Sequence, residues 1–185
     1  MRQECRVGAE DSAGDVHDAL MHLGCDVVLQ TVEGIIQKNV ETRVQRSFIQ
    51  GSEVLKPAPK LTPELLNIDW NDTAVHIHNL IRGLSPYPTA YTMLQKAEDK
   101  PVQMKIFASR VAECPEGLEP GTVLSDGKSY LHIVTQSGAI SVTDLQLSGK
   151  KRMAVGDFLR GFREPELWKA LSGTSRSEIQ RLTNK

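Results

Sequence analysis

From Ala90 to Leu147 the sequence alternates apolar and polar residues in short runs, with turn-forming residues between them. A period of two is typical of strands that bury one face. The dipeptides Asp126-Gly127 and Ser137-Gly138 separate successive runs and favour tight turns. Short strands joined in this way predict a small antiparallel barrel. The predicted strands are Ala90–Leu94, Val102–Val111, Thr122–Leu124, Tyr130–Thr135 and Ala139–Leu147.

A short helix is predicted immediately before the first strand, because apolar residues recur at helical spacing from Val75 to Leu84. Asp72 is the predicted N-cap, since its carboxylate can accept the free N–H groups of the first turn. Gly83 can adopt the left-handed capping conformation and Pro86 cannot continue a helix. The sequence therefore predicts that the helix breaks at Gly83 and leaves through a rigid turn.

The region before this helix is predicted to contain one long helix and an irregular connection. An apolar stripe runs from Val16 to about Ile36, and this helix needs a partner to bury it. Residues 2–7 are compatible with a short strand, and 37–66 are irregular apart from one turn that begins near Pro63. Lys56-Pro57-Ala58-Pro59-Lys60 is an extended linker. We place the domain boundary near Asn67, giving domains 1–66 and 67–185.

After the barrel, residues 154–162 are predicted to form a short helix and Glu164–Leu171 one or two further helical turns. The 185-residue chain has a net charge of −1, but residues 149–185 carry nine Lys and Arg against four Asp and Glu, a balance of +5. Clustered cations raise the local potential whatever the global balance. Either a solvated basic end or a phosphate-contacting patch fits this distribution.

Several classes of protein and site are not supported by the sequence. Its three cysteines form no C-x-x-C pair, which argues against a zinc ribbon and a disulfide framework and favours a reducing cytoplasm. No continuous apolar run has the length of a membrane span, so no membrane partner is expected. His76 and His78 lie on different sides of the predicted helix and cannot chelate one metal together. No nucleophile–base set or phosphate-binding glycine motif can be assembled, so we predict no catalytic residue and no metal site in this chain.

Five stretches resemble methionyl-tRNA formyltransferases, and they occur in that family's order. Ile68-Asp69-Trp70 with His78–Pro88 resembles the opening of the family's C-terminal domain. The resemblance extends from about Val7 to Phe162. The other four stretches are the helix start Asp11-Ser12-Ala13-Gly14, the linker Ala58–Thr62, the barrel strand Pro120–Leu124, and the closing motif Leu145–Met153 running on to Asp157–Gly161.

The resemblance implies a formyl transfer from 10-formyltetrahydrofolate to the methionine of initiator tRNA. In the family an Asn and a His of an N-x-H-x-S-L-L-P motif and an Asp of a D-T-G motif, all in a Rossmann-like domain, carry the chemistry, and neither motif occurs here. We therefore expect an α+β chain: a remnant helix of that domain, a linker, then an OB-like antiparallel barrel with flanking helices. The folate site is expected to be absent, and the chain inactive by itself. The full-length enzyme is expected to be monomeric. The isolated chain is expected either to exchange the amide hydrogens of its N-terminal helix quickly or to self-associate through that helix.

The resemblance also implies that the barrel domain holds tRNA through its phosphates. The residues that match family motifs and carry suitable charge are Lys60, Arg82, Lys150, Lys151 and Arg152. For Arg82 the alternative is capping of its own helix carbonyls, and for the Lys-Lys-Arg run it is plain solvation. Two other functions stay open at this point. One is membership of a sugar-nucleotide formyltransferase or formyltetrahydrofolate dehydrogenase, and the other is a non-catalytic OB-like binding module.

Overall fold

A computed structural model describes residues 1–49, 51, 58 and 60–175, which belong to two compact units. The first takes its described residues from Met1–Asp11 and Asp15–Lys60, and the second from Ser12–Gly14 and Leu61–Lys185. Most of the predicted Lys56–Lys60 linker lies outside the described residues, which include only Ala58 and Lys60 of it.

Helix α1 is Ala13–Ile36, and from Asp15 onwards it belongs to the first unit, which also has a 3-10 helix at Gln45–Phe48. Residues 2–7 form no strand, so the expectation of one is wrong; they have no ladder partner among the described residues. Within α1 only Gly34 is buried. The helix is long and apolar enough by length and composition to cross a membrane, a test that core helices of soluble proteins also pass. Its exposed apolar side chains are Leu20, Met21, Val28, Leu29, Val32, Ile35 and Ile36.

The second unit contains an antiparallel sheet and three short helices. Its helices are α2 Pro63–Leu66, α3 Ala74–Leu84 and α4 Val155–Leu159. Its strands are β1 Ala90–Lys96, β2 Val102–Ala112, β3 Val123–Ser125, β4 Leu131–Val134, β5 Ala139–Leu147, β6 Met153–Ala154 and β7 Trp168–Leu171. The mixed helical and antiparallel architecture predicted from the sequence is confirmed, and the OB type of the barrel stays a prediction.

The sheet curls into a nearly closed barrel. The strand order is β3-β4-β5-β2-β1-β7, and β6 pairs with β5 beside this path. The two ends of the path meet, because Thr122 bridges to Lys169 and the Ala170 N–H donates to the Gly121 carbonyl at 2.8 Å. Gly121 has φ +86°, and a Cβ there would lie 2.3 Å from the Ala170 carbonyl oxygen. Closure of the barrel therefore requires glycine at this position.

The alternating residues of the strands and one face of α3 form a single core. Ile77 and Ile81 of α3 are fully buried, and burial of each large apolar side chain contributes roughly 1.5–3 kcal/mol. Trp70 is also fully buried. Its indole N–H donates to the Thr92 hydroxyl at 3.0 Å, so this buried donor has a hydrogen-bond partner. Strand residues in this core include Met104, Ile106, Leu131, Ile133, Ile140 and Leu145.

Both ends of α3 differ from the sequence prediction. The N-cap is Thr73, whose hydroxyl accepts the His76 N–H at 3.3 Å. Asp72 instead accepts the Thr73 N–H at 2.7 Å, so its carboxylate lies one residue too early to cap. The helix runs through Gly83 to Leu84 because Leu84 is buried in the core, and packing overrides the local tendency of glycine to end a helix.

The prediction of helical turns over Glu164–Leu171 is wrong beyond Leu167. Only Pro165–Leu167 is helical, as one 3-10 turn, and β7 follows it. β7 pairs antiparallel with β1, for example Leu94 with Ala170, and gives the free edge of β1 a partner. The helix predicted over 154–162 shortens to α4. It starts at Val155 because Ala154 pairs with β5 as part of β6, and it ends at Leu159.

Candidate nucleic-acid interface

Lys150 and Lys151 lie in the tight connection between β5 and β6, and both are exposed. The Lys150 N–H donates to the Leu147 carbonyl at 3.0 Å, and Gln146 Nε2 donates to the Lys150 carbonyl at 2.8 Å. Gly149 supplies the positive φ, +75°, that the turn needs. Among the described residues, neither lysine has a carboxylate within ion-pair distance. A backbone fixed by hydrogen bonds thus presents two cations to solvent.

Arg152 follows these lysines in sequence but is directed onto the outer face of the sheet. Its Nη2 and Nε donate to Asp144 Oδ2 at 2.6 and 2.9 Å. Its guanidinium carbon lies 4.4 Å from the centre of the Phe107 ring, a cation–π geometry. The hydrogen bond to Asp144 raises the pKa of Arg152. The structure therefore separates the predicted Lys-Lys-Arg set into two exposed lysines and one arginine already held by the sheet.

Lys60 and Arg82 have different surroundings. Lys60 is exposed and belongs to the first unit. Arg82 lies in the last turn of α3, partly buried, and its Nε donates to the Asn79 side-chain carbonyl one turn earlier at 2.8 Å. The Ser85 N–H donates to the Arg82 carbonyl at 3.3 Å.

A second basic region, which sequence reasoning missed, lies where the β3–β4 hairpin turn approaches α4. The residues that line this groove are Gly127, Lys128, Ala154, Gly156, Asp157, Leu159, Arg160 and Arg163. Two features of the sequence indicated parts of this region. Asp126-Gly127 predicted a turn beside Lys128, and the basic end of the chain includes Arg160 and Arg163. The sequence alone could not show that these two segments, about 30 residues apart, come together in the fold.

Three histidines make contacts with other side chains of the second unit. His76 Nδ1 lies 2.9 Å from Asp72 Oδ1, and His78 Nδ1 lies 3.1 Å from the Ser109 hydroxyl. His132 stacks against Tyr130 with ring centroids 4.6 Å apart, and its burial lowers its pKa. In the part of the chain that the structure describes, no three His, Cys, Asp or Glu side chains are grouped closely enough to hold a metal ion.

The family follows from sequence comparison. The family model described as formyl transferase, C-terminal domain, matches residues 60–163. The chain belongs to this family. It is 44% identical over 161 residues to a methionyl-tRNA formyltransferase of Azobacteroides pseudotrichonymphae, covering 86% of this chain and 50% of the relative. A methionyl-tRNA formyltransferase of Bacteroides fragilis is 40% identical over 159 residues, covering 86% of this chain and 49% of the relative. The resemblance proposed from the motifs is thereby confirmed, and the chain spans about half the length of these curated relatives.

A solved structure shares the fold of this member of the formyl transferase C-terminal domain family. A variant of HypX from Aquifex aeolicus superposes with a TM-score of 0.58 at 18% identity, covering 85% of this chain and 27% of HypX. The likeness concerns the fold alone. Within this chain, the matched family segment includes α3, the strands β1 to β6, α4 and the three cations of the second basic region. Strand β7, which completes the barrel, lies after the matched residues.

Proposed function

We propose that this chain is the tRNA-holding part of a methionyl-tRNA formyltransferase that acts in the cytoplasm during translation initiation. The whole enzyme would transfer the formyl group from 10-formyltetrahydrofolate to the amino group of methionyl-initiator-tRNA. The names of relatives 40–44% identical to this chain support that substrate. A HypX structure with tetrahydrofolic acid bound has a fold similar to this chain, at a TM-score of 0.50 and 22% identity. This supports a folate co-substrate for the family rather than a folate site in this chain.

The observation that carries the tRNA proposal is the exposed Lys150-Lys151 turn, which has no carboxylate partner among the described residues. A lysine without an intramolecular partner can neutralise a phosphate without first breaking an ion pair. Phosphate contacts position a nucleic acid and carry no sequence information. The turn would therefore hold the tRNA body, while the choice of the methionyl group is made elsewhere in the enzyme.

Catalysis would not come from this chain alone. The motifs that bear the family's catalytic Asn, His and Asp do not occur in its sequence. We expect the purified chain, supplied with 10-formyltetrahydrofolate and charged initiator tRNA, to form no more formylmethionyl-tRNA than a blank without protein. Turnover above that blank would contradict this part of the proposal.

The binding part is tested by measuring tRNA affinity across a salt series for Lys150→Ala, Lys151→Ala and the control Lys100→Ala. Lys100 is likewise an exposed lysine, in the connection between β1 and β2. Loss of one phosphate contact should reduce the slope of log affinity against log salt by about one. Initiator and elongator tRNAs should weaken equally, because phosphates carry no identity. Affinities and slopes that match the Lys100→Ala control would show that tRNA does not contact this turn.

A further inference from the structure

We propose that Tyr87, in the turn between α3 and β1, is a stacking platform for an unpaired base at the single-stranded acceptor end of tRNA. This inference rests on the proposed function and deepens it, since it names a residue that would position the end of the tRNA that receives the formyl group. The contact would be made by an aromatic ring rather than by a cation, so it is separate from the phosphate contacts of Lys150 and Lys151.

Tyr87 is the most exposed large apolar side chain of the second unit among the residues that the structure describes. Its exposed fraction is 86%, and that of the next such side chain in this unit, Val75 of α3, is 56%. A proline stands on either side of Tyr87, and the residues just outside the prolines, Ser85 and Thr89, are both buried. Both ends of the turn are therefore fixed in the second unit, while the residue in the middle stands in solvent.

The first half of the turn is fixed through the backbone of Ser85. Its carbonyl accepts the Gly14 N–H at 3.0 Å, and Gly14 belongs to the same compact unit. A Cβ on Gly14 would lie 2.8 Å from Cδ of Pro86, so the glycine packs directly against the proline ring. Pro86 and Pro88 each fix their own φ and restrict the residue before them. Little conformational freedom therefore remains in the backbone that carries the tyrosine, which limits the entropy lost when a ligand binds.

Thr89 fixes the second half of the turn in an unfavourable backbone conformation. Its φ is +78°, and a β-branched residue rarely adopts a positive φ. The Thr89 N–H donates to the Leu84 carbonyl at 2.9 Å, and the Thr89 hydroxyl donates to the Pro86 carbonyl at 2.6 Å. Strained residues of this kind persist only where the surrounding structure holds them, and they cluster at ligand-binding sites. This strain distinguishes Tyr87 from an ordinary exposed side chain.

A nucleobase fits this ring better than a protein partner does. A protein interface buries a contiguous surface around its aromatic anchor, whereas the exposed residues of α3 that lead into the turn, Asn79 and Gly83, offer no apolar side chain. Gly83 has nothing within 4 Å of where a Cβ would stand, so the space beside it is open. A base needs only one ring to stack on, because every base has a π-face. Bases within a helical arm stack on each other, so the ligand is an unpaired base.

The acceptor end is the unpaired strand that the proposed reaction requires the enzyme to hold. It carries the methionyl group, and a base stacked on Tyr87 would fix the direction in which that group extends. The nearest cation in sequence is Arg82, which would neutralise a phosphate of the same strand. Because stacking tolerates any base, the ring would position the end of a tRNA without selecting the initiator.

The test measures how the whole chain binds uncharged initiator tRNA and the same tRNA without its unpaired 3′ nucleotides. The variants are Tyr87→Ala, Tyr87→Phe and the control Val75→Ala, which shortens the next most exposed apolar side chain. Tyr87→Ala should weaken the binding of intact tRNA roughly 5- to 150-fold, the range for one lost base stack. Tyr87→Phe keeps the ring and should bind like the unaltered chain. Thermal unfolding verifies that each variant folds.

Two further readouts separate stacking from a phosphate contact and from a general loss of structure. The shortened tRNA has no base for the ring, so it should bind the unaltered chain and Tyr87→Ala equally. The slope of log affinity for intact tRNA against log salt should be the same in both proteins, because the substitution removes no cation.

The outcomes separate this inference from the proposed function. If the unaltered chain binds neither tRNA, the proposed function is overturned, and the stacking contact with it. If the unaltered chain binds intact tRNA but Tyr87→Ala matches Val75→Ala, only the stacking contact is overturned, and a protein partner becomes the better explanation of the exposed ring. An equal loss for both tRNAs in Tyr87→Ala also overturns it, since the contact would then lie outside the acceptor end. A loss confined to intact tRNA, with Tyr87→Phe unaffected, supports both.

Discussion

Arg152 should stabilise the barrel more than it contributes to any ligand, and Arg152→Ala tests this. The variant loses the charge-assisted hydrogen bonds to Asp144 and the stacking on Phe107. Such hydrogen bonds contribute about 1.5–3 kcal/mol and an exposed cation–π contact about 0.5–1 kcal/mol. Because the Arg152 side chain is 49% exposed, solvent screening reduces the first figure substantially. We expect a net loss of about 1–2 kcal/mol, or roughly 4–10 °C in Tm.

Most of this loss should come from the carboxylate that Arg152 leaves behind. The Asp144 side chain is only 27% exposed, and its Oδ1 is buried without a hydrogen-bond partner in the part of the chain described by the structure. Without Arg152 both oxygens would be unpaired. The double variant Asp144→Ala/Arg152→Ala should therefore be more stable than Arg152→Ala alone, as measured by thermal unfolding, while Lys151→Ala should unfold like the unaltered chain. A double variant less stable than Arg152→Ala, or an equal loss in Lys151→Ala, would refute the reasoning.

Two further predictions concern the β3–β4 turn and helix α1. The Ser129 hydroxyl and three backbone N–H groups donate to the Asp126 carboxylate and depress its folded-state pKa. Its stabilising effect is therefore present above its unfolded pKa of about 3.9 and is lost as the pH falls through the folded pKa. Asp126→Asn should therefore have a lower Tm than the unaltered chain, and this difference should become smaller as the pH falls from about 6 to 2. A difference that does not change with pH would contradict the prediction. Because its apolar residues are exposed, α1 should either exchange its amide hydrogens quickly or drive self-association of the isolated chain. Where the chain self-associates, Leu29→Glu/Val32→Glu should lower its mass in analytical ultracentrifugation. A chain that is monomeric before the substitution and strongly protected from amide exchange along α1 would contradict this.

Local patterns predicted the strands well because the alternating residues that form the core are also those that define the pattern. The predicted and observed bounds of β5 are identical, Ala139–Leu147, and β2 differs by one residue. Strand β7 escaped prediction for a physical reason. Pro165 and the charged residues around it favour a turn locally. The extended conformation at Ala170 is made favourable by partners far away in sequence, the edge of β1 and the Gly121 carbonyl.

The candidate site shows the same division between local and long-range information. The exposure of Lys150 and Lys151 follows from a turn that the sequence itself indicates. The pairing of Arg152 with Asp144 does not, because it depends on the register of β5 against β6. Three adjacent basic residues therefore suggested one charged patch, whereas the strand geometry directs the third side chain, Arg152, to Asp144 on the sheet.

The pairing of β7 with β1 also bears on how the protein is made. Leu94 faces Ala170 in this pairing, so roughly 75 residues separate the partners, a long-range contact of the kind that slows folding. At about 5–20 residues per second, β1 leaves the ribosome roughly 4 to 15 seconds before its partner is synthesised. During that interval one edge of β1 has no strand beside it, and unpaired edges are where chains associate wrongly. This edge of β1 stays exposed until Leu171 is made, and β7, the last strand within the described residues, is the one that covers it.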